Sequence, residues 1–309
     1  MKKKMIVGVV AASLLGFGCQ PSSTPPASTS SPAAQATTAA TTAPDATATP
    51  ETTGTPEAAQ GGLPYQFPSN PPAAEPGTFV FVPMASSLER LTSGSQKKAD
   101  DFRPRELVKT GPETSTIKDR EEYEAPNSLI FPCQPDAKVA VGDIVLGNPQ
   151  YGSMEVAIVT DAADPTKPTV HFFKPVYGGA KPEGDQFAGQ LEAGKFRVIS
   201  SELDPGSRAL YPEGEEKGYG LVIKTEGDRV LLEKFGGGLA AFDKSEVTPL
   251  PVKPGVKAGD KVQAPFGKGM DPATVTKVDE KIGRVSVTFD GRESQGESVF
   301  CFTQILPGQ

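Results

Sequence analysis

Histidine and cysteine, two of the side chains most often used for acid–base and nucleophilic chemistry, are scarce in this chain. It contains one histidine, His171, so two imidazoles cannot meet in one site and a zinc finger lacks its ligands. Cys133 and Cys301 carry no catalytic local signature, and no serine sits in a Gly-x-Ser-x-Gly elbow. His171 follows Val170 in a short apolar run, which predicts a partly exposed strand position. These observations predict a protein that is not an enzyme.

Glycine-rich and acidic segments can bind phosphate or cations, but here their surroundings favour turns. A phosphate-binding loop needs a strand that leads into a helix. Segments 234–238 and 267–269 instead have strand-like residues on both sides. The acidic run 213–216 lacks the spacing of a calcium loop and is typical of a solvated turn. We therefore expect no metal and no cofactor.

The cysteines at 133 and 301 lie far apart in the sequence. In an oxidising compartment, Cys133 and Cys301 are candidates for a disulfide. Such a bond would close a loop of about 170 residues and stabilise the fold by on the order of 5 kcal/mol. The alternative is two buried free thiols that pack as small hydrophobic side chains. We favour the disulfide, although nothing in the sequence places the two cysteines close together.

Internal repetition is the main feature of the C-terminal part of the chain. Three segments open at Gly142, Gly206 and Gly259, and a β-branched strand follows each glycine after fourteen or fifteen residues. Alternating apolar and polar residues between Gly, Pro and Asp predict short strands with one buried face. Four or five such strands in about 50 residues fit a small, strongly bent barrel. The predicted barrel-like repeats are residues 141–203, 204–253 and 254–309.

The third repeat resembles a known type of small barrel. Its segments GDKVQAP, PATVTKV, GRVSVTFDG and ESVFCFTQILP, within 256–307, resemble the Tudor/agenet type of Src-homology-3-like barrel. The second repeat matches more loosely, and the first carries an insertion at 175–195. The resemblance implies a mostly β chain of tandem small Src-homology-3-like barrels. Such barrels commonly bind through loop aromatics, but the chain has no tryptophan and the matching loop carries Met270-Asp271-Pro272, so we do not infer a methyl-lysine cage.

Loop tyrosines are the candidate binding groups. Tyr211 and Tyr219 flank the acidic turn of the second repeat, and Tyr151 and Tyr177 belong to the first. These four side chains could form shallow contact surfaces on neighbouring barrels, because a tyrosine offers an apolar ring and a polar tip. The alternative is that they pack at the barrel rims.

Residues 63–140 are harder to assign. The segment 77–83 resembles 259–265, but no second and third strands are evident after it. The stretch 93–126 has mixed charges and few aliphatic residues. We expect an irregular region with a few strands, in which 128–131 completes the first barrel.

The N-terminal segment predicts export. In residues 1–19, three lysines precede a run of about fourteen apolar and small residues that ends at Cys19, too short for a span of roughly twenty. This pattern is typical of a secretory signal peptide. The cysteine at the cut site resembles a bacterial lipoprotein, which implies a lipidated Cys19 at the mature N-terminus. Gly16 and Phe17 depart from the lipoprotein pattern, and the alternative is ordinary cleavage with Cys19 as a plain thiol.

Residues 20–62 predict a disordered linker. They are mostly Pro, Ser, Thr and Ala, without aromatic or large aliphatic side chains that could offset the entropy of ordering. The chain is acidic, with a net charge of −7, and losing three leader lysines makes it more so. Nucleic acid is therefore not an expected partner. The location we expect is the cell envelope, and Gln20 after the cysteine favours the outer membrane of a Gram-negative cell by resemblance to sorted lipoproteins.

Together these features lead to a hypothesis about function. We expect a non-enzymatic, membrane-tethered lipoprotein that displays barrel modules to a protein, peptide or cell-wall partner. The alternative is a structural or assembly component whose barrels only pack on one another in an envelope complex. An envelope hydrolase is a third and weaker alternative, because acid–base and nucleophilic groups are sparse.

Overall fold

The computed structural model describes residues 63–95, 98, 101–149, 152–174, 176, 182 and 184–308. The predicted signal peptide, Cys19 and the linker 20–62 lie outside the described residues, as do Tyr151 and Tyr177.

The described chain is mostly β, as predicted, and consists of four five-stranded antiparallel sheets in a propeller-like ring. Each sheet has the same strand order, in which strands four, three, two and one are neighbours and strand five pairs with the free side of strand one. One α-helix is present in the described part, α1 at Ala85–Thr92. The repetition expected from the sequence is therefore real, and it has four copies.

Sheet 1 occupies the region that we expected to be irregular. Its five strands are β1 Phe79–Pro83, β2 Phe102–Thr110, β3 Thr114–Lys118, β4 Glu122–Pro126 and β5 Phe131–Pro132. Helix α1 lies between β1 and β2 and lengthens that connection, which hid the repeat. The prediction for 128–131 was also wrong, because Phe131 pairs with Phe81 of its own sheet.

Each predicted repeat contains one complete sheet. Sheet 2 comprises β6 Ile144–Gly147, β7 Glu155–Asp161, β8 Thr169–Phe172, β9 Ala188–Gln190 and β10 Arg197–Val198. Sheet 3 comprises β11 Arg208–Glu213, β12 Glu216–Glu226, β13 Arg229–Lys234, β14 Leu239–Asp243 and β15 Thr248–Pro249. Sheet 4 comprises β16 Lys261–Phe266, β17 Gly269–Asp279, β18 Arg284–Phe289, β19 Ser298–Cys301 and β20 Leu306–Pro307. Short 3₁₀ turns lie at 127–129, 185–187, 293–295 and 302–304.

The glycine that opens each repeat has a common structural reason. All four copies have φ between about +87° and +97°, which favours glycine. Each N–H donates at 2.8 Å to a carbonyl in the second strand of its sheet, next to a β-bulge that bends that strand. The glycines are Gly77, Gly142, Gly206 and Gly259, and their acceptors are Leu107, Val159, Val222 and Val275.

Four polar contacts join neighbouring sheets and close the ring. Ser153 accepts from the N–H of Phe102 at 2.9 Å between sheets 2 and 1, and Lys224 donates to the Asn127 carbonyl at 2.9 Å between sheets 3 and 1. The N–H of Tyr219 reaches the Lys268 carbonyl at 3.3 Å between sheets 3 and 4. Arg284 joins sheets 4 and 2.

One apolar cluster draws residues from all four sheets, while sheets 2 and 3 each have a second, separate cluster on the other face. Strand β6 shows the consequence: Ile144 and Leu146 face the shared cluster, and Val145 faces the cluster of its own sheet. The strand is therefore buried on both faces, and its residues form a continuous apolar run. The sheets are packed together on a common core.

The predicted disulfide is not formed. Cys133 and Cys301 are buried free thiols, the first beside β5 of sheet 1 and the second in β19 of sheet 4. The N–H of Cys133 donates to the Phe79 carbonyl in sheet 1, whereas Sγ of Cys301 contacts Arg284. The two thiols thus pack in different environments, and burial raises the pKa of Cys301 to about 11.

Candidate functional site

The predicted tyrosines do not form one surface in the described residues. Tyr211 is 1% exposed, and its ring stacks on Phe242 at 5.3 Å between centroids. The ring also covers Gly218, where an added Cβ would lie 2.4 Å from Tyr211 Cζ. Tyr211 is therefore a core residue of sheet 3, because β12 supplies a glycine on which the ring rests. Tyr219, in contrast, is only half-buried.

Two phenylalanines join Tyr219 at the surface. Phe235 is 56% exposed and Phe266 is 40% exposed, and among the described residues Val141 is the one other large hydrophobic side chain with comparable exposure. The rings of Tyr219 and Phe235 lie 6.1 Å apart, within the range of favourable aromatic pairs. We call Tyr219, Phe235 and Phe266 the aromatic surface.

Hairpin turns present the two phenylalanines. Phe235 follows β13, and the next two residues, Gly236 and Gly237, have φ near +89° and +88° in the turn to β14. Phe266 ends β16, and Gly267 (φ +59°) begins the turn to β17. The glycine-rich segments are thus hairpin turns, as the sequence indicated, and each places an aromatic side chain beside the turn.

The aromatic surface lies where sheets 3 and 4 meet. Besides the backbone contact of Tyr219 with Lys268, a Cβ added at Gly269 would lie 3.3 Å from the Lys217 carbonyl. The turn after Phe266 therefore packs against the start of β12, which carries Tyr219. A partner that contacts this joint would touch two sheets at once.

Cations lie over the aromatic rings. The guanidinium carbon of Arg292 is 3.8 Å from the centroid of Phe266, and Arg292 also pairs with Asp271 at 2.9 Å. Arg208 lies 5.9 Å from the centroid of Tyr219. Each contact places positive charge against the negative face of a ring. The guanidinium groups keep these rings beside charge while leaving them partly open to solvent.

Acidic side chains around the aromatic surface are paired. Lys234 contacts Glu213 at 3.0 Å, and Lys268 contacts Glu216 at 3.2 Å. The hydrogen bond from Lys268 to Glu216 raises the pKa of the lysine. Exposed pairs of this kind contribute little to stability. They give the aromatic surface a rim that is polar and nearly balanced in charge.

A second cluster of polar and aromatic groups is buried between sheets 2 and 4. Arg284 is 3% exposed; its Nη2 donates to the carbonyls of Phe172 at 3.1 Å and Lys174 at 3.0 Å, and its Nη1 donates to Cys301 Sγ at 3.2 Å. The guanidinium lies 5.4 Å from the ring of Phe187. This contact replaces water around a buried cation and fastens sheet 4 to sheet 2.

His171 belongs to the same buried region. It is 6% exposed and stacks on Phe187 at 5.4 Å, so the expectation of a partly exposed histidine was wrong. The reason is the packing of the 185–187 turn over the outer face of β8. Arg284 was not identified from the sequence either, although an arginine that alternates with Val285 was visible as a polar residue on the opposite strand face.

Among the residues that the structure describes, no group of three or more His, Cys, Asp or Glu side chains is placed to hold a metal ion. Nor does the described part include a helix with the length and apolar character that a membrane crossing requires. The aromatic surface itself consists of rings, guanidinium groups and paired carboxylates. Groups of this kind can stack and form hydrogen bonds with a partner.

Comparison with known proteins adds no relative. No protein-family model matches this chain, and a search of curated proteins finds no similar sequence.

Proposed function

We propose that this protein is a non-enzymatic, lipid-tethered envelope protein that binds a protein, peptide or cell-wall partner through the aromatic surface. The observation that carries the proposal is the exposure of Phe235 and Phe266 at one joint between two sheets. Exposed aromatic side chains with a polar rim are the usual anchors of binding interfaces. Burial of two such rings in a complex would offset much of the cost of association.

We further propose that each sheet is a small Src-homology-3-like barrel of the Tudor/agenet type. Three features support this interpretation: the shared strand order, the bulge in the second strand, and the separate apolar clusters of sheets 2 and 3. A bulge bends its strand and lets a five-stranded sheet curl around its own core. Within such a barrel, Phe235 and Phe266 belong to the loops, where binding groups commonly lie.

The proposed tether depends on the N-terminal sequence. Lipidation of Cys19 and export to the envelope, with the outer membrane favoured in a Gram-negative cell, would place the folded part beyond the linker 20–62. Metabolic labelling with a clickable fatty acid tests this step, with Cys19→Ala as the control. Absence of label on the wild-type chain would leave a secreted protein without an anchor.

Site-specific photo-crosslinking in cells tests the binding proposal. A photoreactive phenylalanine analogue replaces Phe235 or Phe266 in the full chain, and the matched control carries it at Glu121, an exposed position between β3 and β4 of sheet 1. We expect one recurring adduct from positions 235 and 266 that is missing from position 121. Adducts from all three positions alike, or from none, would contradict the proposal.

The second candidate function is a structural or assembly component. It is favoured by the way the four sheets already pack on a common core, since exposed apolar residues could extend this packing to a second copy. The same crosslinking experiment separates the two functions, because an assembly component would give adducts with the mass of two copies. Light scattering on the full chain would then show association that is lost in Phe235→Ser/Phe266→Ser.

A further inference from the structure

A cleft between sheets 1 and 2 forms a site that is separate from the aromatic surface. Its volume is about 600 Å³, within the range of ligand sites, and it extends from Arg105 in β2 to the segment 186–192 of sheet 2. Neither sheet 3 nor sheet 4 contributes to the described lining. The residue pairs that flank the undescribed Tyr151 and Tyr177 in the sequence include Pro149 and Lys174, which also line the cleft.

The charges that line this cleft are mostly positive, although the chain as a whole is acidic. Arg105, Lys174 and Lys195 face one carboxylate of the described lining, Glu192. Lys195 pairs with Glu192 at 2.6 Å, and Arg105 pairs with Asp119 at 2.9 Å outside the cleft lining.

Lys174 is the lining cation that forms no ion pair with any carboxylate of the described residues. Its ammonium lies 5.8 Å from the centroid of Phe172, so its stem rests on the cleft wall. Its backbone carbonyl is held by Arg284 at 3.0 Å, which anchors the residue although the side chain is only half-buried. An anchored, unneutralised lysine in a cleft is suited to a carboxylate from a ligand.

The edge of sheet 2 lines the same cleft. Strand β9, Ala188–Gln190, is the last strand on that side, and all three of its residues contribute to the lining. Its central residue is Gly189, where a Cβ would lie 2.7 Å from the ring of Phe172, so no side chain covers the middle of the edge. An edge strand presents backbone N–H and C=O groups that can pair with an added strand.

Amide side chains complete the polar lining. Gln186, Gln190 and Asn148 lie on either side of β9 and of the strand end at β6. The amide nitrogens of Asn148 and Gln190 donate to backbone carbonyls of their own sheet, at 2.9 Å and 3.3 Å. These bonds leave the two amide oxygens as acceptors for the N–H groups of a ligand.

From this combination we infer that the cleft binds an extended acidic peptide, which adds a strand beside β9 and places a carboxylate against Lys174. Backbone pairing supplies binding that is independent of sequence, and the cations select for acidic side chains. The site lies on sheets 1 and 2, so it does not depend on the aromatic surface or on the proposed tether.

Fluorescence anisotropy on the full chain tests this inference with three labelled heptapeptides. The first alternates threonine and glutamate, the second replaces each glutamate with glutamine, and the third repeats the first with alternate backbone amides N-methylated. We expect the first peptide to bind, the second to bind about tenfold more weakly through loss of charge, and the third to lose binding because strand pairing is blocked.

Protein variants make the test specific to the cleft. Lys174→Gln should weaken binding of the glutamate peptide about tenfold. Lys195→Gln should also weaken it, and serves as a second variant if the first alters the fold. The matched control is Lys277→Gln, since Lys277 is exposed on β17 of sheet 4.

Several results would overturn the inference. Equal binding of the glutamine peptide would remove the charge requirement, and equal binding of the N-methylated peptide would remove strand addition. An equal effect of Lys174→Gln and Lys277→Gln would mean that only the general charge of the protein matters. Self-association of the full chain that Lys174→Gln abolishes would make a second copy the occupant.

Discussion

Sheet 4 places two arginines against phenylalanine rings in opposite surroundings. Arg284 is 3% exposed between sheets 4 and 2, with two backbone carbonyls and Cys301 as partners. Arg292 lies 3.8 Å over Phe266 at the surface, and 37% of its side chain is exposed. The chemistry of the two contacts is similar, but water competes only for the second. The first therefore holds the fold together, and the second is available to a partner.

The largest effect is expected at the buried arginine. Arg284→Leu leaves the carbonyls of Phe172 and Lys174 without their donor, so we expect the free energy of unfolding to fall by about 3 kcal/mol. Urea denaturation followed by circular dichroism measures this change. A loss below about 1 kcal/mol would mean that Arg284 does not fasten the two sheets. If the variant does not fold at all, Arg284→Lys, which retains the charge, should recover part of the stability.

The same contrast holds within sheet 3, between buried Tyr211 and exposed Phe235. Gly218→Ala would place a methyl group 2.4 Å from the ring of Tyr211, which is packed and cannot move freely. We expect a loss of about 2 kcal/mol from overpacking. Gly238→Ala in the same sheet is the control, because a Cβ there meets nothing within 4 Å. Equal losses in the two variants would contradict this account of Tyr211.

Acid titration sharpens the comparison on the buried side. Burial raises the pKa of Glu155, while Lys174 and Arg284 partly oppose the shift. A carboxyl with a raised pKa in the folded state contributes most at low pH, and this contribution is lost as pH rises through the folded-state pKa. Relative to wild type, Glu155→Gln should therefore be more stable at pH 7 than at pH 4. Denaturation curves at both pH values measure the difference, and the opposite sign would refute it.

The smallest effect is expected at the exposed arginine. Arg292→Leu removes a solvent-exposed ion pair and a surface cation–π contact, so the free energy of unfolding should change by less than about 1 kcal/mol. It is the matched partner of Arg284→Leu, with the same substitution in the same sheet. A loss as large as that of Arg284→Leu would end the distinction between the two contacts. The variant should instead alter the crosslinked adduct from position 266.

Much of the architecture could be predicted from local patterns. The opening glycines at 142, 206 and 259 mark three sheets, because a positive φ and a bond to the bulged strand require glycine there. The likeness of Gly77–Pro83 to the third repeat was also correct as a sign of a first strand. Sheet 1 was nevertheless missed, since α1 interrupts it and β2 carries charged residues on its exposed face.

The candidate binding groups were predicted less well. Tyr219 lies at a joint between sheets, but Tyr211 is buried, and Phe235 and Phe266 were noted only as parts of glycine-rich or strand segments. Local pattern identifies a hairpin, yet exposure of a residue beside the turn depends on whether another sheet covers it. The same limit applies to His171, which the turn at 185–187 covers.

By itself, the sequence determined the strand-rich character, the repeated turns and the scarcity of catalytic groups, because these follow from residue types and short-range spacing. The tertiary structure decided which strand faces are buried twice, that Cys133 and Cys301 stay apart as thiols, and which arginine is enclosed. Those outcomes depend on contacts between sheets that are distant in the chain. Such contacts arise from packing on a shared core, which alternation within a single strand does not encode.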